Sequence, residues 1–405
     1  MAPSQPPKNI VIVGGGIVGS TSAYFLSHHP SFDPQTTTIT LLEATQIAGG
    51  ASGKAGGLLA LWAYPSAIVP LSYRLHKDLA EKYDGPQRWG YRGVHCGQLD
   101  AIGRKANSNK KSAASNDADG AHVSLQKRTP EAIALLRKAG VPADLDWVLP
   151  EGVRAYEEMG DPSTTAQVHP YQFTTSMASL AEERGVKVVL GSVTRINQSS
   201  DNAVESVSYT PKDSTTETTI PADSVIVSAG PWTRNVWPSA PISALRAHSV
   251  TIRPTRDVSN YALFTSIAIP GSMPVAPEIY ARPFQEVYAC GEGDTLVPLP
   301  TTTADVEVDA QRCQEVIDQV GAISDELRDG EVTARQACYL PNVSRGGGGP
   351  MIGPVPGVKG LVMAAGHTCW GIQNGPGTGK LVSEIVWEGK AKSANISSLS
   401  PSRWM

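Results

Sequence analysis

A chain of 405 residues is too long for one small domain, and two interleaved domains are the natural expectation. With 40% hydrophobic and 18% charged residues it reads as a globular enzyme, and a net charge of −4 argues against a nucleic-acid surface, which wants a basic face. The cysteines (Cys96, Cys290, Cys313, Cys338 and Cys369) are scattered and odd in number, with no C-x-x-C pair, so neither a disulfide framework nor a zinc site is expected.

Residues 8–13 read as a buried strand, 17–28 as a helix, and "TTITLLEA" (37–44) as a second strand ending on Glu43. "ASGKAGGLL" (51–59) is a second glycine-rich segment, and 66–83 has helical spacing. Residues 104–127 are polar and small, too poor in apolar surface to offset ordering, and read as a mobile surface insertion. "TPEAIALLRKAG" (129–140) is a helix with Thr129 as N-cap, proline at the first position and glycine at the end. A helix over 169–185, a strand over 186–191 and a buried strand running into a small-residue turn over 224–232 follow. Residues 246–300 change to short strands typical of antiparallel sheet. The spacing then predicts a helix over 306–328, strands over 331–339 and 360–366, and a last helix over 376–389.

The N-terminus "MAPSQPPKNI" has no apolar stretch behind basic residues, no run reaches membrane-spanning length, and "PSRWM" is not a peroxisomal address. A cytoplasmic location is expected. Sequons at Asn197, Asn342 and Asn395 then read as chance matches.

The chemistry starts at "GGGIVG". Gly14, Gly16 and Gly19 fit G-x-G-x-x-G between a strand and a helix, where bare backbone and the helix's positive end suit a pyrophosphate. Glu43 lies 24 residues beyond Gly19, where a carboxylate would accept from a ribose diol, and an acid there disfavours a 2′-phosphate. This unit does not separate FAD from NAD. The rest of the chain does: the second strand runs into "GGASGKAGGLLALW", and glycine- or alanine-lined turns recur at "VSAGPWT" (227–233), "GHTCWG" (366–371) and "NGPGTG" (374–379).

Together "VIVGGGIVGSTSAYFL" with Glu43, "GASGKAGGLLA", "VHPYQF", "VIVSAGPW" and the run from "CYLPNVSRGGGGP" to "KLVSEIVWEG" resemble the D-amino-acid oxidase / sarcosine oxidase / glycine oxidase superfamily of FAD-dependent oxidoreductases, and within it a fungal branch. The resemblance implies an α/β fold: a Rossmann-like FAD-binding domain, a parallel sheet with flanking helices, plus an α+β substrate domain with a mixed or antiparallel sheet. The expected division is 1–75, 165–245 and 332–405 for the discontinuous FAD-binding domain, and 76–164 with 246–331 for the substrate domain. It also implies that Gly14, Gly16, Gly19 and the amides of Ile17 and Val18 hold the pyrophosphate, and that Glu43 and Ala44 lie at the adenosine ribose. Ser52, Lys54, Gly56, Gly57 and Leu58 would pass along the flavin, and Val193 would pack near the adenine. Ala229, Gly230 and Trp232, then Gly366, His367, Gly371, Ile372 and Gln373, would line the remaining turns. A helix N-terminus at the flavin N1–C2=O edge would stabilise negative charge on the reduced ring. Lys54 reads equally as a solvated lysine, His367 as a histidine satisfied by backbone, and Trp62 and Trp370 as core.

Family members oxidise a C–H bond beside nitrogen by hydride transfer to flavin N5; the imine hydrolyses and O2 reoxidises the flavin. A small-molecule amine or amino-acid-like substrate is therefore implied, with noncovalent FAD and Cys338 as a buried structural thiol. Amino-acid-oxidising members place an arginine before the proline of an R-P pair to clamp the substrate carboxylate. Here that pair reads Leu340-Pro341. Arg335 and Arg282 are candidate replacements, each also readable as a surface or salt-bridged arginine, and Tyr339 or Tyr280 could donate an O–H. Strand alternation would put Arg335 and Tyr339 on one face. A hydroxy-acid dehydrogenase and a non-enzymatic flavin-fold protein are the rival expectations.

Overall fold

Strand Asn9–Val13 is apolar and buried beyond its first residue, which fits only a central position with both faces covered. In the computed structural model, which describes residues 8–105, 130–344 and 349–405, it lies between two parallel partners, Thr38–Glu43 and Ser224–Val227. The eight-stranded sheet runs Thr218–Pro221, Val204–Pro211, Lys187–Gln198, Thr38–Glu43, Asn9–Val13, Ser224–Val227, Leu361–Ala365, Met351–Pro354. Its middle is parallel and its edges antiparallel. Alternation divides the central strand between two cores. Ile10 and Ile12 join a cluster with the helices Ile17–Ser27, Pro170–Glu182 and Gly371–Glu388, while Val11 and Val13 join the cluster on the opposite face.

A second sheet of seven strands runs Glu331–Val343, Ile242–Arg253, Glu286–Asp294, Glu278–Arg282, Tyr261–Ala268, His95–Ile102, Val153–Gly160. It is antiparallel except where Tyr261–Ala268 runs parallel to His95–Ile102. Helix Ala310–Gly321 covers one face with Cys313, Val316, Ile317 and Val320. Asp309 caps it, its carboxylate accepting from the Gln311 and Arg312 amides at 2.9 and 3.2 Å. A small third sheet joins Leu58–Ala60, Thr165–Gln167 and Arg92–Gly93. Among the described residues no helix is long and apolar enough to cross a membrane.

The α/β fold with a parallel-centred sheet and a largely antiparallel second sheet is as expected. Several boundaries differ. Helix Val69–Lys82 runs through the 75/76 division, and its Leu79 and Ala80 belong to the core of the first sheet. Strand Glu331–Val343 pairs along Ile242–Arg253, so residues 332–343 belong with the second sheet. The helix expected over 306–328 is two, Ala310–Gly321 and Asp325–Arg328, the second restarted by Ser324, whose hydroxyl accepts from the Leu327 amide at 3.3 Å. All but the first two residues of the 104–127 insertion lie outside the described residues.

The last helix starts at Gly371, five residues before the expected 376, and carries Pro376 inside it. Proline lacks the N–H that would satisfy the carbonyl four residues back, that of Ile372. The buried His76 ring supplies the donor, with Nε2 2.9 Å from Ile372 O. The "NGPGTG" glycines are therefore not a turn but a packing surface. A Cβ on Gly375 would lie 2.5 Å from Ile17 Cγ1, and one on Gly379 2.6 Å from the Thr21 carbonyl carbon.

Among the described residues His76 has no partner at Nδ1, and burial pushes its pKa down from 6.5 to about 4. The folded protein thus keeps His76 neutral while the unfolded chain takes up a proton below about pH 6.5. Stability is expected to fall as pH drops from about 6.5 to about 4, with a slope of up to ~1.4 kcal/mol per pH unit from this group. Urea melts at successive pH values check it; a His76→Gln protein as acid-sensitive as wild type would remove the attribution to this residue.

Candidate active site: a cleft between the two sheets

A cleft of about 580 Å³ opens where the C-terminal ends of the parallel strands face the second sheet, the usual place for a ligand in an open α/β fold. Val13 runs into Gly14, whose φ of +104° and bare Cα let the chain turn beside Ser228; a Cβ there would lie 2.6 Å from Ser228 O. Gly16 precedes the helix Ile17–Ser27, and the Ile17 amide donates to Ser52 Oγ at 2.9 Å. Gly14, Gly16, Ile17, Val18 and Ser52 line this end. Gly19 does not. A Cβ on it would lie 1.8 Å from Gly14 O, so its task is close strand–helix contact, and its expected direct role at the pyrophosphate is corrected.

Glu43 ends its strand at the cleft beside Ala44. Its Oε2 accepts from the Gly15 amide at 2.8 Å and its Oε1 from the Thr45 amide at 3.0 Å, so the carboxylate also holds the glycine loop. Val193 lines the same end, as do Ala229, Gly230 and Trp232; Trp232 Nε1 donates to Pro300 O at 2.7 Å.

At the far end the lining residues Lys54, Gly56, Gly57 and Leu58 meet Gly366, His367, Gly371 and Ile372. Lys54 is partly buried, and its Nζ donates to Ala337 O at 2.9 Å, so it is not simply a solvated lysine; burial lowers its pKa. The buried His367 pairs through Nε2 with Thr378 Oγ1 at 2.9 Å, a hydroxyl rather than the backbone, and burial pushes its pKa down to about 4. Gln373 lies outside the lining: wholly buried, it accepts from the Ala60 amide at 2.9 Å and ties the helix start to strand Leu58–Ala60.

Of the substrate-clamp candidates, only Tyr280 lines the cleft. Arg335 is exposed and donates to Gln314 Oε1 at 3.0 Å on the surface. Tyr339 is buried away from the cleft, its hydroxyl donating to the carbonyls of Val297 and Pro298 at 3.1 and 3.0 Å. The register with Ile242–Arg253 is unbroken from Arg335 to Tyr339, so the two do share a face, but it is the other face, carrying Cys338 and Leu340, that lines the cleft. Arg282 is buried outside the lining, 2.9 Å from both His169 Nε2 and Glu286 Oε1. Leu340 itself lines the cleft, and among the described residues no arginine does. Arg335→Ala is accordingly expected to leave the KM of any substrate unchanged, with stability altered by no more than about 0.5 kcal/mol. A tenfold rise in KM would return Arg335 to the site.

The second sheet contributes residues that motif spacing did not reveal: Phe264, Glu278, Tyr288 and Cys290. They neighbour one another across strands. Glu278 pairs with Phe264 on one side and Cys290 on the other, and Tyr280 pairs with Tyr288. Their signal was the alternation in "EIYAR", which sends Glu278 and Tyr280 to one face while Ile279 enters the second core. The Tyr280 hydroxyl donates to Glu278 Oε2, and burial raises the Glu278 pKa. Cys338 also lines the cleft, and burial pushes its thiol up to about 11.

A glycine turn after the first strand, an acid after the second and a cleft shared with a mixed second sheet define a dinucleotide-dependent oxidoreductase architecture. The family model described as "DAO: FAD dependent oxidoreductase" matches residues 9–385, and the chain belongs to that family of FAD-dependent oxidoreductases. "Putative oxidoreductase TDA3" of Saccharomyces cerevisiae is 37% identical over 98% of this chain and 95% of its own length. Among solved structures, glycine oxidase from Geobacillus kaustophilus is similar with a TM-score of 0.69 at 18% identity, covering 98% of this chain and 100% of that one. L-proline dehydrogenase from P. horikoshii gives a TM-score of 0.69 at 18% identity, with 98% of both chains covered. These two likenesses concern the fold.

Proposed function

We propose that the cleft holds one FAD without a covalent bond and that the protein oxidises a small-molecule amine or amino-acid-like compound at the carbon next to nitrogen. The observation that carries this reading is the continuity of the cleft, which joins the glycine turn at Gly14 to the aromatic wall at Tyr280. The residues fit the cofactor: bare glycine backbone and the Val18 end of a helix suit a pyrophosphate, and Glu43 suits a ribose. When bound, FAD supplies the hydride acceptor at N5, and O2 its reoxidation.

The chain's own part is binding, orientation and exclusion of water. The start of helix Gly371–Glu388 presents its N-terminal dipole to the cleft through Gly371 and Ile372. His367, held neutral by burial and fixed by Thr378, adds no cation there. The buried Cys338 stays a protonated thiol and is a poor nucleophile, which favours noncovalent cofactor. Phe264, Tyr280, Tyr288 and Trp370 give the far end an apolar wall in which a neutral amine meets little water.

Anaerobic titration of the purified protein with amines, N-methylated amino acids, imino acids, D-amino acids and hydroxy acids, followed by flavin absorbance, tests the reading. Bleaching by a nitrogen compound and peroxide release on admitting O2 are expected. Bleaching by hydroxy acids alone, with an artificial acceptor needed for turnover, would replace it with a hydroxy-acid dehydrogenase.

A further inference from the structure

Glu278 is partly buried on the cleft wall, and among the described residues no cation pairs with it. Its Oε2 accepts from the Tyr280 hydroxyl and faces the Cys290 thiol at 3.9 Å; its Oε1 accepts no hydrogen bond from the described residues, and no ion pair forms there. The nearest lining cation by chemistry, Lys54, is turned to Ala337 O. A desolvated carboxyl group without a cation is relieved by taking up a proton or by a cation that a ligand brings, so a cationic ligand gains most at this place.

Phe264, Tyr280, Tyr288 and Trp370 line the cleft around it, and Trp62 and Tyr64 extend the ring contacts beyond the lining toward the surface. Ring contacts run from the exposed Tyr64 to Trp370 at 6.0 Å, Trp370 to Trp62 at 5.5 Å and Trp62 to Phe264 at 6.0 Å. They continue from Phe264 to Tyr280 at 6.1 Å and Tyr280 to Tyr288 at 5.9 Å. Ring faces attract cations, and a file of rings ending on a carboxylate selects positive charge. Leu340 removes the guanidinium that a substrate carboxylate would need.

We propose that Glu278 is the substrate-recognition residue of this cleft and that the substrate is a basic amine with two nitrogens and no carboxylate. One nitrogen stays cationic and binds Glu278 among the rings; the other, neutral, adjoins the carbon that is oxidised. This rests on the flavoenzyme reading above and narrows it from amines and amino acids to diamine-like compounds.

Benzamidine and benzoate, nearly the same shape with opposite charge, test it as dead-end probes read by perturbation of the flavin spectrum in FAD-loaded protein. Benzamidine is expected to bind at least ~10-fold more tightly than benzoate, and Glu278→Gln to weaken benzamidine ~10-fold or more, as for a lost charge-assisted contact, while FAD content stays the same and benzoate binds no more weakly than before. Tighter binding of benzoate, or an unchanged benzamidine Kd in Glu278→Gln, overturns the proposal. The wild-type comparison decides the matter even if the variant does not fold. Protein that carries no FAD at all would instead overturn the flavoenzyme reading, so the two failures are distinct.

Discussion

Gly14→Val is expected to yield protein without FAD and with a markedly lower melting temperature. The residue sits at φ +104°, where a β-branched side chain is strained by ~1–3 kcal/mol. Its Cβ would also lie 2.6 Å from Ser228 O and 2.9 Å from Ala229 Cα. Both contacts are backbone, so neither yields by a rotamer change, and overpacking adds a further ~1–3 kcal/mol. The sum is a large part of the ~5–15 kcal/mol by which such proteins are stable. Any relaxation moves the Gly14–Ile17 turn at the mouth of the cleft, so cofactor content falls even in protein that folds. Flavin per chain and the melting curve, measured on one preparation, check both effects; a folded Gly14→Val protein with full FAD would remove the turn from the site.

The second large effect is expected at Arg246. It is 2% exposed on strand Ile242–Arg253 and pairs through Nε with both oxygens of Asp294 at 3.3 Å. Truncating one partner of a buried pair leaves the other charge uncompensated, at a cost of ~3–5 kcal/mol. Arg312 Nε remains 3.5 Å from Asp294, which keeps Arg246→Ala near the lower figure. Replacing both Arg246 and Asp294 by similar-sized apolar residues should recover most of that loss, because the pair's net contribution is small compared with the penalty of breaking it. Denaturant melts of the two single variants and the double variant decide it; a double variant no more stable than Arg246→Ala would show that the pair stabilises in its own right. Arg246 lies between Leu245 and Ala247, which both line the cleft, so local disorder in the single variant is also expected to weaken cofactor binding.

What the sequence made legible was the part of the fold that local pattern controls. The strand–turn–helix–strand unit over 8–44 stands nearly residue for residue, because unbroken apolar runs, glycine placement and a terminal acid are properties of neighbouring residues. The last helix was misread at its start because Pro376 costs a hydrogen bond locally. The compensation comes from His76, about 300 residues away in sequence, and no local rule sees it. The expected division at 331/332 put nearly all of strand Glu331–Val343 with the FAD-binding domain for the same reason, since its pairing with Ile242–Arg253 is a long-range choice.

The candidate site divides along the same line. The glycine and small-residue turns around the proposed cofactor were identifiable as motifs, and nearly all of those residues line one cleft. Gly19 and Gln373 were drawn toward the ligand by their place in the motifs, whereas the structure gives them to strand–helix packing and a backbone anchor. The substrate end was hardly legible. Arg335 looked available because it is charged, while Glu278 lay unremarked in a short strand whose register alone brings it opposite Phe264 and Cys290.

The central claim is that a single noncovalent flavin spans the cleft. Denaturing the purified protein with acid, removing the precipitate and quantifying flavin in the supernatant tests it most directly. The account predicts FAD, close to one per chain, in the supernatant and a colourless pellet. A colourless solution with no FAD, or yellow colour retained in the washed pellet through a bond to Cys338, would contradict it.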